Sequence, residues 1–334
     1  LVAGGRLMDA HAVVDQMLQA GLDCPPLPLD LSGKIRRWDR KRNSWYRLRE
    51  VRLDSGRYVV VGSFGNWRTG LSQRVDVDWR GIGDEERAQL KVRQQAQEEA
   101  ARELRAREVA QAAMTAAELW AQGSTVGRSP YLDRKGVQGE ACRYMPDGSL
   151  LVPLLRYDLP RAAALRAVQR IWPDGRKRFT KGFDKPGCAV RLGQVEMGQV
   201  VMVCEGFATG LTLRMALDHA APVFVGLDAG NLMHVARLVR SLYPAHRLLL
   251  CADDDWRTTG PDGQPLNVGR AKAMEVAKVL PFTDVIYPIF RPGARAEKDT
   301  DFNDLHAREG LAAVRRQLAW VVQVLRNKEV PHAA

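Results

Sequence analysis

The chain has 334 residues, a formal net charge of +11, and 46% hydrophobic residues. Such a length exceeds one ordinary domain, and the composition is that of a globular protein rather than a disordered tail. No apolar run is long enough to cross a bilayer and no charged-then-apolar leader opens the chain, so a cytoplasmic location without membrane partners is expected.

The positive surplus points to a polyanionic partner, with nucleic acid the commonest. The five cysteines, Cys24, Cys142, Cys188, Cys204 and Cys251, include no C-x-x-C pair, so zinc is not expected. Cys204 and Cys251 end apolar runs and read as small buried hydrophobes.

Residues 1–82 read as a small, mostly β module after a short helix. Val13, Val14, Met17 and Leu18 fall on one helical face, and Gly21 stops that helix. After a proline-rich loop, strands are expected over residues 45–53 and 57–64, around an Asp54-Ser55-Gly56 turn. Residues 83–123 read as one long linker helix, with Asp84 as N-cap and Gly123 beyond its end. Such a helix would span about 55–60 Å. Its first half is polar all round, while Met114, Leu119 and Trp120 give the second half something to bury. Residues 124–197 alternate glycine turns with short strands at 150–155 and 167–172, an α+β pattern. From residue 198 to about 330 the pattern changes. Apolar runs at 200–204, 223–227, 248–252 and 285–290 alternate with helical stretches at 208–217, 232–242 and 268–280. That alternation predicts a parallel sheet covered on both faces.

Acidic residues follow these strands. Glu205 comes after the first, Asp253, Asp254 and Asp255 after the third, and Asp299, Asp301 and Asp304 after the last. The carboxyl edge of an open α/β sheet is where ligands bind, so carboxylates from separate strands are expected to converge there. Clustered carboxylates repel unless a cation offsets them, and Mg²⁺ prefers oxygen ligands together with substrate phosphates. On extended backbone Asp253 and Asp255 should point together, with Asp254 pointing elsewhere. Asp228 also lies near this edge and is an additional candidate. A strand-end Asp is often only a helix N-cap, and an EF-hand register from Asp253 fails at Arg257 and Thr258.

The segments VVMVCEG (200–206), LLLCADDD (248–255) and KDTDFND (298–304) resemble, in order and spacing, the three acidic motifs of the TOPRIM domain. Upstream, SPYLDRKGV (129–137), LLVPLL (150–155) and WPDGRKRFTK (172–181) resemble the stretches that precede TOPRIM in bacterial-type primases. The wording is closest to primases of conjugative plasmids (TraC type) and of related phages. The resemblance implies an α/β fold: a TOPRIM parallel sheet flanked by helices, preceded by an α+β primase-core subdomain and a mostly-β N-terminal module.

It also implies Glu205, Asp253 and Asp255 as catalytic and metal-binding residues, with Asp301 and Asp304 at a second metal site. The cofactor would be Mg²⁺ or Mn²⁺, two ions in all. Single-stranded DNA template and nucleoside triphosphates would be the partners, alongside a separate helicase or replication proteins. The zinc-module cysteines of replicative primases are absent, which leaves template choice to other residues. No G-x-x-x-x-G-K-[ST] loop is present either.

Between Arg161 and Arg191 basic residues greatly outnumber acidic ones. Arg176, Lys177, Arg178 and Lys181, with Lys135 upstream, are the candidates for holding template or nucleotide. From Lys34 to Arg57 there are ten Lys/Arg against three Asp/Glu, a net +7. Cations there interleave with rings, as single-stranded nucleic acid requires. Arg36, Arg37, Trp38, Arg40, Lys41, Arg42, Trp45 and Trp67 are the candidates, although any one ring suits the core of so small a module. Two further readings stand beside a primase: a metal-dependent TOPRIM nuclease, and a non-catalytic protein that binds or escorts single-stranded plasmid or phage DNA.

Overall fold

The computed structural model describes residues 10–40, 42–52, 56, 58–67, 69–77, 83–259 and 266–326. Lys41, Leu53, Asp54, Ser55 and Arg57 lie outside the described residues. The chain separates into two compact units, Leu1–Glu103 and Leu104–Ala334.

In the first unit, helix α1 (Ala10–Gln19) precedes an antiparallel sheet of β1 (Arg36–Trp38), β2 (Ser44–Arg52), β3 (Tyr58–Asn66) and β4 (Leu71–Arg74), in that order. Val13 and Met17 are fully buried against Leu48, Val59 and Phe64, whereas Leu18, turned about 100° from Met17 on the helix, is 46% exposed at the rim. The centre of the β2–β3 ribbon requires a glycine. A Cβ on Gly62, whose φ is +150°, would stand 2.1 Å from the Arg47 carbonyl oxygen.

Helix α2 (Asp84–Gln122) begins with Arg87 N donating to Gly83 O, so Asp84 lies in the first turn rather than at the cap. In its last turns Ala112 and Ala116 are buried, Leu119 and Trp120 pack beside Leu151 and Val168, and Met114 is exposed. Met114 fails the expectation because the buried stripe runs 112–116–119–120, at i+3 and i+4 spacing, and residue 114 faces away from it.

The second unit continues with α3 (Pro130–Lys135), closed by Gly136 in the left-handed region, then the strands β5 (Arg143–Tyr144) and β6 (Leu150–Leu155). After a short α4 (Arg161–Ala164), strands β7 (Leu165–Ile171) and β8 (Lys177–Phe179) complete an antiparallel sheet ordered β5-β6-β7-β8.

The α/β part follows: β9 (Val190–Leu192), β10 (Val201–Cys204), α5 (Phe207–Ala216), β11 (Val223–Val225), α6 (Ala229–Leu242), β12 (Leu248–Cys251), α7 (Val268–Val279) and β13 (Thr283–Ile286). Helices α8 (Phe302–Glu309) and α9 (Leu311–Arg326) end it. The strand order is β13-β12-β10-β11-β9, with all neighbours parallel except the edge strand β9.

Burial alternates along the strands, as a two-sided sheet requires. Met202, Cys204, Leu249 and Cys251 face α5, α8 and α9 through Leu211, Phe302 and Leu318. Val201, Val203, Leu248 and Leu250 face α6 and α7 through Val235, Ala273 and Val276. Cys204 and Cys251 are buried free thiols. Among the described residues no helix is long and apolar enough to cross a membrane.

Candidate active site

Because β10 and β12 are parallel neighbours in the register Cys204↔Cys251, the chain leaves both at the same edge. Glu205 and the triplet 253–255 therefore emerge side by side. The segment after β13 joins them, since Asp254 N donates to Thr300 O at 2.7 Å. Asp301 then caps α8 in a reciprocal capping box with Asp304, and its Oδ2 accepts from Thr209 Oγ1 at 2.9 Å.

These acids act on one another. Burial, then Asp255 and Asp301, push the Glu205 carboxyl up to about 7. Burial, then Asp301, Glu205, Asp255 and Asp304, push Asp253 up to about 9. Asp301 is raised by burial and Asp304, against the pull of the Asp304 amide, Lys135 and Thr209. Two oxygens, Glu205 Oε1 and Asp253 Oδ1, are buried with no hydrogen-bond partner among the described residues. A buried acceptor left unpaired is costly, so it marks a place where a donor or cation belongs.

The gathering is looser than a finished cage. Among the described residues no three His, Cys, Asp or Glu side chains stand in an arrangement that could hold a metal ion. The expected convergence of Glu205, Asp253, Asp255, Asp301 and Asp304 is thus a shared edge and a shared field rather than a closed coordination shell. Mutual repulsion and prior commitments explain this. Asp255 Oδ2 accepts from Gly269 N at 2.9 Å, and Asp304 Oδ2 from Thr300 N at 2.8 Å.

Asp254 turns away and is 6% exposed. Arg295 donates to its Oδ2 at 2.7 Å and to its carbonyl at 2.6 Å, Asn267 Nδ2 donates to its Oδ1, and Arg270 lies 3.5 Å from Oδ1. Asp228 has its own commitments: Oδ1 caps α6 through Asn231 N at 3.0 Å, and Oδ2 pairs with Lys185.

Two of the predicted cations reach the acidic set. Lys135 Nζ lies 3.9 Å from Asp304 Oδ1, and Asn303 Nδ2 donates to Lys135 O, tying α3 to α8. The Lys177 ammonium stands over the Tyr131 ring at 5.6 Å. Desolvation and Lys135 hold it below the usual lysine range, against the opposing pull of Asp301 and Asp253. Arg176 instead pairs with Asp174 at 2.6 Å and lies over Trp172, while Arg178 and Lys181 are exposed.

In the first unit Trp38 and Trp45 belong to the buried set, with Trp38 Nε1 donating to Asp23 O, and Trp67 is 52% exposed. Arg36 is taken up by Asp30, whose carboxyl is lowered to about 2 by Ser32 and then Arg36. Arg37 lies near the Trp67 ring, and Arg40 and Arg42 are exposed.

Tyr131, Thr209 and Arg295 escaped sequence reasoning. Thr209 lies one helical turn beyond Glu205, a spacing that acquires meaning only once Asp301 is seen beside it. Burial and then Asp301 push the Tyr131 hydroxyl up to about 12.

Residues 200–312 match the family model of the Toprim domain. A DNA primase TraC of Escherichia coli is 30% identical over 270 residues, covering 75% of this chain and 24% of that protein. A second DNA primase TraC of Escherichia coli is 30% identical over 250 residues, covering 70% of this chain and 16% of that protein. The chain thus spans about a quarter or less of the length of these curated relatives. Among solved structures, the primase fragment of the bacteriophage T7 primase-helicase protein aligns at 16% identity with a TM-score of 0.38, covering 56% of this chain and 68% of that one.

Proposed function

For a chain that carries a Toprim domain and is homologous over most of its length to DNA primase TraC, we propose synthesis of short RNA primers on single-stranded DNA by metal-dependent nucleotidyl transfer. The observation that supports this reading is the pair of buried, unpartnered oxygens, Glu205 Oε1 and Asp253 Oδ1, at an edge where burial and neighbouring acids raise both carboxyls. The donor set is all oxygen, the kind Mg²⁺ or Mn²⁺ takes.

Glu205, Asp253 and Asp255 are assigned as the principal metal ligands, and Asp301 and Asp304 as the residues of a second site. Bound there, divalent cations would offset the negative charge of the triphosphate and of the leaving pyrophosphate, and ease ionisation of the attacking hydroxyl. Glu205, at the edge where the 3′-hydroxyl would approach the α-phosphorus of the next nucleotide, is also assigned to receive that hydroxyl's proton. Lys135 and Lys177, facing the acids, are assigned to the triphosphate oxygens. Thr209 and the amide end of α8 hold Asp301 in place. Arg178 and Lys181 are assigned to the template backbone, and Arg176 to it once freed from Asp174. A separate helicase or other replication proteins would supply the exposed template.

The same reading assigns residues 198–330 to the catalytic domain, 124–197 to a basic subdomain beside it, 83–123 to a linker helix and 1–82 to an N-terminal module.

The test is incorporation of labelled nucleotides on single-stranded DNA with Mg²⁺ or Mn²⁺. Dinucleotides and longer products are expected, and Asp253→Ala should abolish them with the circular dichroism spectrum unchanged. Undiminished synthesis by that variant refutes the assignment. Metal-dependent cutting of DNA without incorporation would establish a nuclease instead.

A further inference from the structure

The acidic edge leaves one built feature of the molecule unused, in the first unit. Among the described residues of that unit Trp67 carries the most exposed indole, and it does not dangle. Its indole stacks on the buried Trp45, with centroids 5.0 Å apart and planes at 25°. Its amide donates to Asn43 O at 3.0 Å, and the preceding Asn66 donates from Nδ2 to Ser44 Oγ at 3.1 Å. The ring is therefore held while 52% of the residue remains open to solvent.

Beside it lies an open groove lined by Ile35, Arg36, Arg37, Arg42, Asn43 and Trp67. The turn between β1 and β2 shapes this groove. Asp39 and Arg42 both adopt positive φ, 63° and 54°, which side chains with a Cβ rarely do. The Asp39 carboxylate holds the turn by accepting from Asn43 N at 3.1 Å and Ser44 N at 2.6 Å. The turn places Arg42 among the residues that line the groove, and the Arg37 guanidinium lies over the Trp67 ring, 5.6 Å from its centroid.

We propose that this groove docks single-stranded nucleic acid, one base stacking on Trp67 in place of the Arg37 guanidinium, which then meets a flanking phosphate alongside Arg42. The chemistry selects that partner. A held, half-exposed indole offers a π face that an unpaired base can use and a base inside a duplex cannot. The surroundings carry the matching charge, since the segment from Lys34 to Arg57 has a net charge of +7. Arg36 is excluded from the phosphate contacts because Asp30 already holds it. Trp38 and Trp45 are excluded as stacking surfaces because both are buried. The proposal is independent of whether the acidic edge is catalytic.

The test is binding of a fluorescein-labelled 16-nucleotide oligodeoxythymidylate to the intact chain by anisotropy, over a range of salt. Trp67→Ala should weaken binding about tenfold, and Trp67→Phe should retain most of it. The paired change Arg37→Gln with Arg42→Gln should reduce the slope of log affinity against log salt by about 1.4, at about 0.7 per phosphate contact on a single strand. Iodouracil-substituted oligonucleotide should photocrosslink to the peptide that carries Trp67.

The proposal is overturned if both variants bind as the parent does at every salt concentration. Crosslinks confined to residues 104–326 overturn it too, as does equal competition by duplex DNA or polyglutamate. Asp253→Ala serves as the separating control: it should bind normally while failing to synthesise, so the two readings fail by different signatures.

Discussion

Replacing Asp253 by asparagine should stabilise the metal-free protein while destroying its chemistry. Asp253 has its carboxyl pushed from 3.8 to about 9 by burial and by Asp301, Glu205, Asp255 and Asp304. In the unfolded chain that group is ionised at pH 8, and in the folded chain it holds its proton. A tenfold bias in protonation corresponds to about 1.4 kcal/mol, so four decades of pH set a ceiling of about 6 kcal/mol against folding. One oxygen of the side chain is fully buried, and relaxation and water entry around the other reduce this to on the order of 2–4 kcal/mol.

The sign is that of a carboxyl raised on folding: the contribution of Asp253 to stability is fully present below about pH 4 and is lost as pH rises toward 9, with Glu205 adding to the loss between about 4.5 and 7. Asparagine removes the ionisation, so its melting temperature at pH 8 without metal should rise by about 5–10 °C, given about 2–4 °C per kcal/mol for a unit of this size. Mg²⁺ should then stabilise the parent more than the variant, since the variant loses one of its native-state ligands and with it part of the gain from mass action. Scanning calorimetry at pH 5 and pH 8, with and without Mg²⁺, reads all four corners. A variant no more stable than the parent at pH 8, or equally stabilised by Mg²⁺, refutes the reasoning.

Three further changes probe the supports of the site. A Cβ at Gly269 would meet the Asp253 carbonyl oxygen at 2.4 Å; Gly269→Ala should cost about 1–3 kcal/mol in urea melts and weaken half-saturation by Mn²⁺ at least tenfold. Asp228→Ala removes an N-cap and an ion pair, so a loss of about 1 kcal/mol is expected with nucleotide incorporation unchanged; a tenfold drop in incorporation by a folded variant would place Asp228 in the chemistry after all. Arg295→Met strands the buried Asp254 carboxylate with only Arg270 and Asn267, which should cost about 3–5 kcal/mol, largely recovered when Asp254→Asn is added.

The α/β order was legible because its signals are local: five-residue apolar runs alternating with helical spacing can be buried only on a sheet covered from both sides. The edge at which Glu205 and Asp253 meet follows from that order, since parallel neighbours must end together. What could not be read depends on facing. Arg176 and Lys177 are adjacent in sequence and both exposed, but one pairs with Asp174 while the other stands over the Tyr131 ring in the field of Asp301 and Asp253. A charge run carries no such distinction. Trp45 and Trp67 likewise read as equals, and only the pairing of Trp45 with Gly65 and of Ser44 with Asn66 shows why one ring is covered and the next exposed. Met114 stays exposed despite its size, because the helix buries Ala112 and Ala116, whose small side chains let the packed surfaces approach closely.

If the proposed metal role holds, the triplet 253–255 lets one stretch of backbone serve two opposed demands. Carboxylates that must stay ready for a cation cannot also be anchored by strong donors, since every ion pair they form competes with the metal. Asp253 meets this with an oxygen that has no partner, and an unpartnered group cannot hold its own loop still. Asp254, between the two, takes the anchoring role. It points the other way, accepts from Arg295 and Asn267, and lets its backbone amide donate to Thr300 O, which draws the Asp301 segment to the same edge. Alternation along extended backbone makes this division possible, because the middle residue of three must face away from its neighbours. The anchor is therefore expected to be as intolerant of substitution as the acids it positions, and through a different measurable: the stability of the loop rather than its affinity for metal.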